Sequence, residues 1–359
     1  MSSRQPNILY ILADDLGWGD VGYHGSPIRT PNLDRMAREG VELDQHYVCP
    51  VCTPTRASLL TGNHPGRFGA HATVPTHLPV MRPGQPTLAS VLKSAGYGTA
   101  LIGKWHLGAA REHIPNHWGF DHSYGGQTGC IDPYTHEYWN PDFSGTWHRN
   151  GESIVEQGHA TDLIVREARS WLRDRRSPWF CYVPFTAVHE PVKVPQEWYN
   201  RYLDVKFDPD PARDHSFRKY AAYTSHMDHA VGRLIETLEE TCQRANTLVV
   251  FVSDNGSIPN FDSRKKWPGY QENEPLMGSN LPLKGFKGQL YEGGIRTPAL
   301  ASWQGTFGPR RVSAPLHMVD WLPTLAGLAG ATVPADLHLD GRDMLPVLDG
   351  SESAMQERT

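Results

Sequence analysis

Four oxygen-bearing side chains stand in two pairs with the same setting. Asp14 and Asp15 directly follow the apolar run Asn7 to Ala13, and Asp254 and Asn255 follow the run Thr247 to Ser253. Adjacent carboxylates repel unless a cation or hydrogen-bond donors lie between them. Three carboxylates and an amide oxygen form a hard-oxygen set, suited to Ca²⁺ or Mg²⁺ and poorly suited to Zn²⁺. Turn chemistry accounts for either pair alone, since Asp and Asn-Gly are common after strands. Two pairs at equivalent places favour a shared metal.

Cys52 lies in Cys-Thr-Pro-Thr-Arg, ahead of Ala-Ser-Leu-Leu-Thr-Gly. Pro54 suits the first turn of a helix and Gly62 its end. Cys52 then sits where helix amides attract an anion, with Arg56 one turn further in. Cys49-Pro-Val-Cys52 is also a C-x-x-C. A structural zinc site wants a second ligand pair at similar spacing, which the chain lacks, and a redox dithiol wants a thioredoxin-like context. A buried, inert Cys is the plainest alternative. The five Cys are scattered and do not form a disulfide framework.

Lys104 and His106 follow the apolar segment Gly98 to Gly103, and two residues apart at a strand end they point to the same side. That geometry suits an anion clamp, although a solvated Lys and a satisfied His are the ordinary reading of such residues. His189 follows the run Trp179 to Pro184, and Lys287 lies in a glycine-rich segment that implies close backbone approach. Each signal is ordinary alone, but all of them fall at expected strand ends.

The elements that must position these residues are legible in outline. Asn7 to Ala13, Gly98 to Gly103, Trp179 to Pro184, Thr247 to Ser253 and Thr297 to Trp303 are short apolar runs expected as buried strands. Tyr220, Tyr223, Met227, Val231, Leu234, Ile235 and Leu238 recur at helical spacing. Further helices are expected through Leu163 to Leu172 and from Leu316 to Leu328. The alternation predicts an α/β domain with a largely parallel sheet. In such a fold, the long polar stretches 108–158 and 254–294 are expected to build the rim at the carboxyl ends of the strands.

Composition narrows the partners. The 359 residues carry a net charge of −5 without a basic block, which argues against nucleic acid or an anionic membrane. No apolar run is long enough to span a bilayer, and Met-Ser-Ser-Arg-Gln-Pro leads directly into a strand without a leader pattern. The expectation is a soluble, cytoplasmic protein as written, or a periplasmic or secreted one if a leader was removed. Eighteen His and eleven Trp suit acid–base or metal chemistry and stacking on sugar rings.

Taken together, these segments resemble the type I sulfatases of the alkaline-phosphatase superfamily. The matching segments run in order from Asn7-Ile-Leu through Ala13-Asp-Asp, Cys52-Thr-Pro-Thr-Arg, Gly103-Lys-Trp-His-Leu-Gly and Ser253-Asp-Asn-Gly, then Glu292-Gly-Gly-Ile-Arg and Asp320-Trp-Leu-Pro-Thr-Leu. The Cys-x-Pro-x-Arg motif is highly specific, and the later motifs are specific as an ordered set. The resemblance implies an alkaline-phosphatase-like three-layer sandwich hydrolysing sulfate esters. It implies that a formylglycine-generating enzyme oxidises Cys52 to formylglycine, whose hydrate binds Ca²⁺ (or Mg²⁺) together with Asp14, Asp15, Asp254 and Asn255. One hydroxyl then attacks sulfur and expels the alcohol. The second loses its proton, sulfate departs from the sulfated enzyme, and the aldehyde is restored. Arg56 resembles the residue that holds the hydrate, Lys104 and Lys287 the sulfate clamps, His189 the group at the leaving oxygen, and His106 the base for elimination.

Gly129-Cys-Ile-Asp-Pro-Tyr-Thr-His and Trp147-His-Arg-Asn resemble the branch of arylsulfatases and N-acetylgalactosamine-4-sulfatases, which makes Asp132, Tyr134, His136 and Arg149 candidate substrate contacts. Relatives usually continue beyond Asp340-Gly-Arg-Asp into a small antiparallel subdomain. The expectation here is one catalytic domain over 1–350, a short tail over 351–359 and a shortened or missing subdomain. A phosphoester or phosphonate hydrolase and a non-catalytic binder of sulfated glycans are the competing readings. The intact set of Cys52, Lys104, His106 and Lys287 speaks against a mere binder.

Overall fold

The computed structural model describes residues 5–71, 78–141, 145–176, 178–259, 278–334 and 337–352. Its strands are β1 (Asn7–Ala13), β2 (Val41–Leu43), β3 (His46–Tyr47), β4 (Gly98–Ile102), β5 (His122–Gly126), β6 (Trp147–Arg149), β7 (Glu152–Ser153), β8 (Trp179–Pro184), β9 (Thr247–Ser253), β10 (Ala299–Ser302), β11 (Arg310–Val312) and β12 (Leu316–His317). Ten of them form one sheet in the order β11-β2-β10-β9-β1-β8-β4-β5-β6-β7, and β3 pairs with β12 apart from it. The central five, β9-β1-β8-β4-β5, are mutually parallel, and β10, β6 and β7 run antiparallel to their neighbours on the flanks.

Every residue of β1, β8 and β9 is buried, as expected of strands covered on both faces. The pleat divides them between two cores. Leu9, Ile11, Cys181, Val183, Val249 and Phe251 face one layer, with α1 (Pro31–Glu39) and later helices. Ile8, Tyr10, Leu12, Phe180, Tyr182, Val250 and Val252 face the other, with α2 (Cys52–Thr61) and α3 (Leu88–Ser94). The first layer is completed by α4 (Ala160–Arg173), α5 (Gln196–Asn200) and the long α6 (Pro211–Glu240). All seven residues of the expected Tyr220-to-Leu238 face are buried on α6, which Asp210 caps by accepting from the amides of Ala212 and Arg213. After α7 (Glu292–Ile295), α8 (Trp321–Ala329) and α9 (Leu345–Asp349) join the second layer. The result is helix on sheet on helix.

Three expectations need correction. The segment from Leu316 is not helical throughout. Leu316–His317 is a strand, a 3₁₀ turn covers Met318–Asp320, and α8 begins only at Trp321, because Asp320 turns back to accept from the His317 amide. The strand expected over Thr297 to Trp303 is shorter and antiparallel. The stretch 108–158 is not rim alone, since it lends β5, β6 and β7 to the sheet. The Asn150–Gly151 pair that turns β6 into β7 has φ of 50° and 84°, the left-handed pair that a tight hairpin requires. Residues 260–277 of the second rim stretch and 353–359 of the expected tail lie outside the described residues. Among the described residues, no helix is long and apolar enough to cross a membrane.

Candidate active site

β1 and β9 pair in parallel with Ala13 opposite Ser253, so Asp14, Asp15, Asp254 and Asn255 leave the sheet side by side. The crossing is pinned by backbone and side chain alike. The Asp254 amide donates to the Ala13 carbonyl, the Asp15 amide to Asp254 Oδ1, and the Leu16 amide to Ser253 Oγ. Asp15 has φ 64°, a left-handed conformation rare outside Gly and recurrent at functional sites.

Helix α2 delivers Cys52 to the same point. Val51 is extended, Pro54 occupies the first turn where its missing N–H costs nothing, and Gly62 closes the helix at φ 66°. All ten residues of α2 are buried, which explains why no apolar stripe marks it in the sequence. Ligand atoms of Cys52, Asp14 and Asp254 lie within 4.8 Å of one another, as do those of Asp14, Asp15 and His189.

Three cations enclose these groups. Lys104 Nζ lies 2.7 Å from Asp14 Oδ2, both fully buried. Lys287 Nζ lies 2.7 Å from Asp15 Oδ1. Arg56 donates to Asp254 Oδ2 through Nε at 3.1 Å and Nη2 at 2.8 Å, and through Nη1 to the Lys104 carbonyl. Lys104 reaches this position because Gly103, at φ 143°, lets the chain pass against the Pro184 carbonyl, where a Cβ would collide. His189 donates from Nδ1 to the Glu190 carbonyl at 2.9 Å, which leaves Nε2 facing Asp15 Oδ2 at 3.6 Å. His106, at φ 58°, is buried with Nδ1 unpartnered.

The ionisation of these groups follows from burial and their neighbours. Burial lifts Asp14 to about 6, with Lys104 pulling it back and Asp254 adding repulsion. Asp15 is buried too, but Lys287 and His189 hold its carboxyl well below the usual range. Burial also raises the Cys52 thiol, against the pull of Lys104 and Lys287. Burial and then Lys104 push His106 far down, so its imidazole is neutral.

Whether these residues suit a divalent cation can be tested on their unfilled valences. Asp14 Oδ1 and Asn255 Oδ1 are buried oxygens without a hydrogen-bond partner, an expensive condition unless something fills it. Both belong to the hard-oxygen set, so the residues fit Ca²⁺ or Mg²⁺. Three carboxylates already balance the three cationic side chains. A bound dication would therefore leave the pit positive, which suits an anionic tetrahedral ester.

The remaining candidates take partners outside this cluster. Asp132 pairs with Lys193 and accepts from the Tyr134 and Thr135 amides, and Tyr134 is 42% exposed beside it. His136 is bonded to the Gly158 carbonyl and stacked on Trp147. Arg149 forms a forked pair with Glu167 of α4. One group escaped the sequence reading. Glu190 is buried, with its carboxylate 3.5 Å from His189 Nδ1, and its only signal was an acid placed between His189 and Pro191.

The sulfatase family model matches residues 6–331. Arylsulfatase J of Mus musculus is 34% identical over 369 residues, covering 95% of this chain and 55% of that protein. N-acetylgalactosamine-6-sulfatase of Canis lupus familiaris is 33% identical over 377 residues, covering 97% and 67%. This chain thus spans between about half and two thirds of the length of these relatives. The crystal structure of Ps i-CgsB in complex with k-i-k-neocarrahexaose superimposes with a TM-score of 0.85 at 32% identity, over 99% of this chain and 80% of that one.

Proposed function

Because this chain belongs to the sulfatase family, we propose that it hydrolyses sulfate esters of a carbohydrate, with a nucleophile derived from Cys52. The observation that carries this reading is the convergence on Cys52 of a hard-oxygen set with unfilled acceptors, of buried Lys104 and Arg56, and of half-buried Lys287. A thiol suits this place poorly, because burial disfavours its thiolate and its neighbours are hard oxygens. Formylglycine at position 52, once hydrated, would provide a hydroxyl nucleophile and a second hydroxyl for sulfate release.

Asp14, Asp15, Asp254 and Asn255 would hold a Ca²⁺ or Mg²⁺ ion with position 52, and such an ion lowers the pKa of a bound hydroxyl. The protein's own groups then divide the remaining tasks. Lys104 and Lys287 present fixed positive charge to the sulfate oxygens as charge develops there. Arg56 locks Asp254 and the Lys104 backbone in register. His189, oriented by the bond from Nδ1 to the Glu190 carbonyl, donates the Nε2 proton of its imidazolium to the leaving oxygen. His106, whose buried Nδ1 has no hydrogen-bond partner, accepts a proton during release.

A carbohydrate substrate is supported by the names of the relatives and by the oligosaccharide in the superimposed structure. One relative acts, by its name, on a 6-sulfate, and the proposal is for a sulfated sugar without a stated sulfate position. Tyr134, exposed like Phe286 and Tyr291 among the described residues, would stack on a ring.

The test is parallel turnover of an aryl sulfate and an aryl phosphate by protein co-expressed with a formylglycine-generating enzyme. Faster sulfate turnover that chelation removes is expected. Faster phosphate turnover would assign the chain to phosphoester chemistry, and turnover of neither would reduce it to a binder.

A further inference from the structure

A second cluster of metal-ligating side chains lies outside the pit. His159, Asp162 and His226 present ligand atoms that all fall within 4.8 Å of one another. Two of them share the start of α4, where His159 is the N-cap residue and Asp162 follows in the first turn. His226 comes from α6, which crosses α4, so the tertiary fold assembles the group. His226 Nε2 is 2.9 Å from Asp162 Oδ1.

The hydrogen bonds prepare His159 as a ligand. Its Nε2 lies 2.9 Å from the Lys193 carbonyl, which only accepts, so the proton sits on Nε2 and Nδ1 keeps its lone pair. Ligating histidines are commonly oriented in this way, with the other nitrogen donating to a carbonyl. Nδ1 is engaged only by the Thr161 amide at 3.2 Å. His226 is 2% exposed, stacks on Trp198, and has a buried Nδ1 without a partner. Asp162 is the open side of the group, with 57% of its side chain exposed.

We propose that His159, Asp162 and His226 form a binding site for a divalent transition-metal ion of the zinc class. Two imidazoles and one carboxylate are a borderline ligand set that such ions favour and Ca²⁺ does not. The exposed Asp162 edge leaves a fourth position to solvent. A bound ion would tie α4 to α6. Through the Lys193 carbonyl it would also brace the segment after β8 that carries His189.

The site is tested by titrating Zn²⁺ into the full chain with Ca²⁺ in excess, which keeps the hard-oxygen set at Asp14 and Asp254 engaged. Calorimetry should show one Zn²⁺ equivalent in the wild type, with a raised melting temperature. Because loss of an outer-shell partner already costs about 10–100-fold in affinity, Asp162→Ala and His226→Gln should each weaken this event at least that much. Asp162 is exposed, so its variant is expected to fold and keeps the test decisive if His226→Gln does not. Co²⁺ should give visible absorption bands in the wild type that are lost in Asp162→Ala. Identical Zn²⁺ stoichiometry and affinity in wild type and Asp162→Ala, or no binding by the wild type, would overturn the proposal.

Discussion

Two ionic clusters flank the same sheet and behave differently. In the pit at the ends of β1 and β9, Asp14, Asp254, Lys104 and Arg56 are entirely buried, yet Asp14 Oδ1 and Asn255 Oδ1 remain unfilled. On the other flank, Glu167 of α4 receives His122 at 3.0 Å and Arg149 at 3.1 and 2.7 Å, and the Arg149 side chain is 40% exposed. There charge meets charge with water nearby, and little energy depends on the match. In the pit, desolvated charges are held with acceptors to spare, an arrangement that makes sense only for a ligand bringing charge of its own. In the pit, unfilled acceptor oxygens lie beside desolvated charge, whereas Glu167 has its acceptors taken by His122 and Arg149. Arg149, a candidate substrate contact on sequence grounds, is held there by Glu167.

The strongest way to break this contrast is at the cysteines. Cys52→Ala should abolish turnover of an aryl sulfate, whereas Cys49→Ser should leave it largely intact, because Cys49 faces Ser58 and not the carboxylates. Equal losses would restore the C-x-x-C reading. Next comes the cation. Chelation should remove turnover and Ca²⁺ or Mg²⁺ should restore it, and Asp254→Asn should lose most activity while remaining folded. Asp254→Ala is a poorer probe, since stranding the buried Arg56 is expected to cost about 3–5 kcal/mol. Full activity in excess chelator would contradict a shared cation.

The clamps rank third. Removing one fixed donor to developing charge costs about 10²–10³ in kcat, and Lys104→Ala and Lys287→Ala should each fall in that range. A change in KM alone would mean equal binding of ground and transition states.

The flank supplies the smallest effects. Arg149→Ala should leave kcat and KM unchanged and lower stability by about 1 kcal/mol or less in a denaturant titration. A large rise in KM would return Arg149 to the substrate. Glu167 sharpens the same point through pH. Burial raises its carboxyl, but hydrogen bonds from His122 and Arg149 outweigh this and bring it from 4.5 down to about 2. A carboxyl depressed on folding stabilises above its unfolded value and loses that contribution as pH falls from about 4.5 towards 2. Glu167→Gln should therefore flatten the stability profile across that window, and an unchanged slope would place the linkage elsewhere.

How much of this was legible in the sequence depends on whether local pattern or distant partners set the structure. The runs at β1, β8 and β9 were readable because burial on both faces permits little but apolar residues. The ends of α2 were readable from Pro54 and Gly62, although its all-round burial erased any periodicity. The short strands β6 and β7 were not seen, despite the Asn150–Gly151 signal, because three-residue and two-residue strands leave no alternation to count. The positions at the strand ends were visible, but the pairing within the pit was not. That Lys104 meets Asp14 while Lys287 meets Asp15 follows from strand order and from a left-handed Asp15, which no local motif encodes.

The central claim rests on the chemical state of residue 52. The direct measurement is mass spectrometry of the Cys52 peptide from preparations made with and without a co-expressed formylglycine-generating enzyme, each assayed for aryl sulfate turnover. The account predicts that activity rises in proportion to the fraction of peptide in which the thiol carbon has become an aldehyde. Fully active protein whose residue 52 carries an unmodified thiol would contradict it.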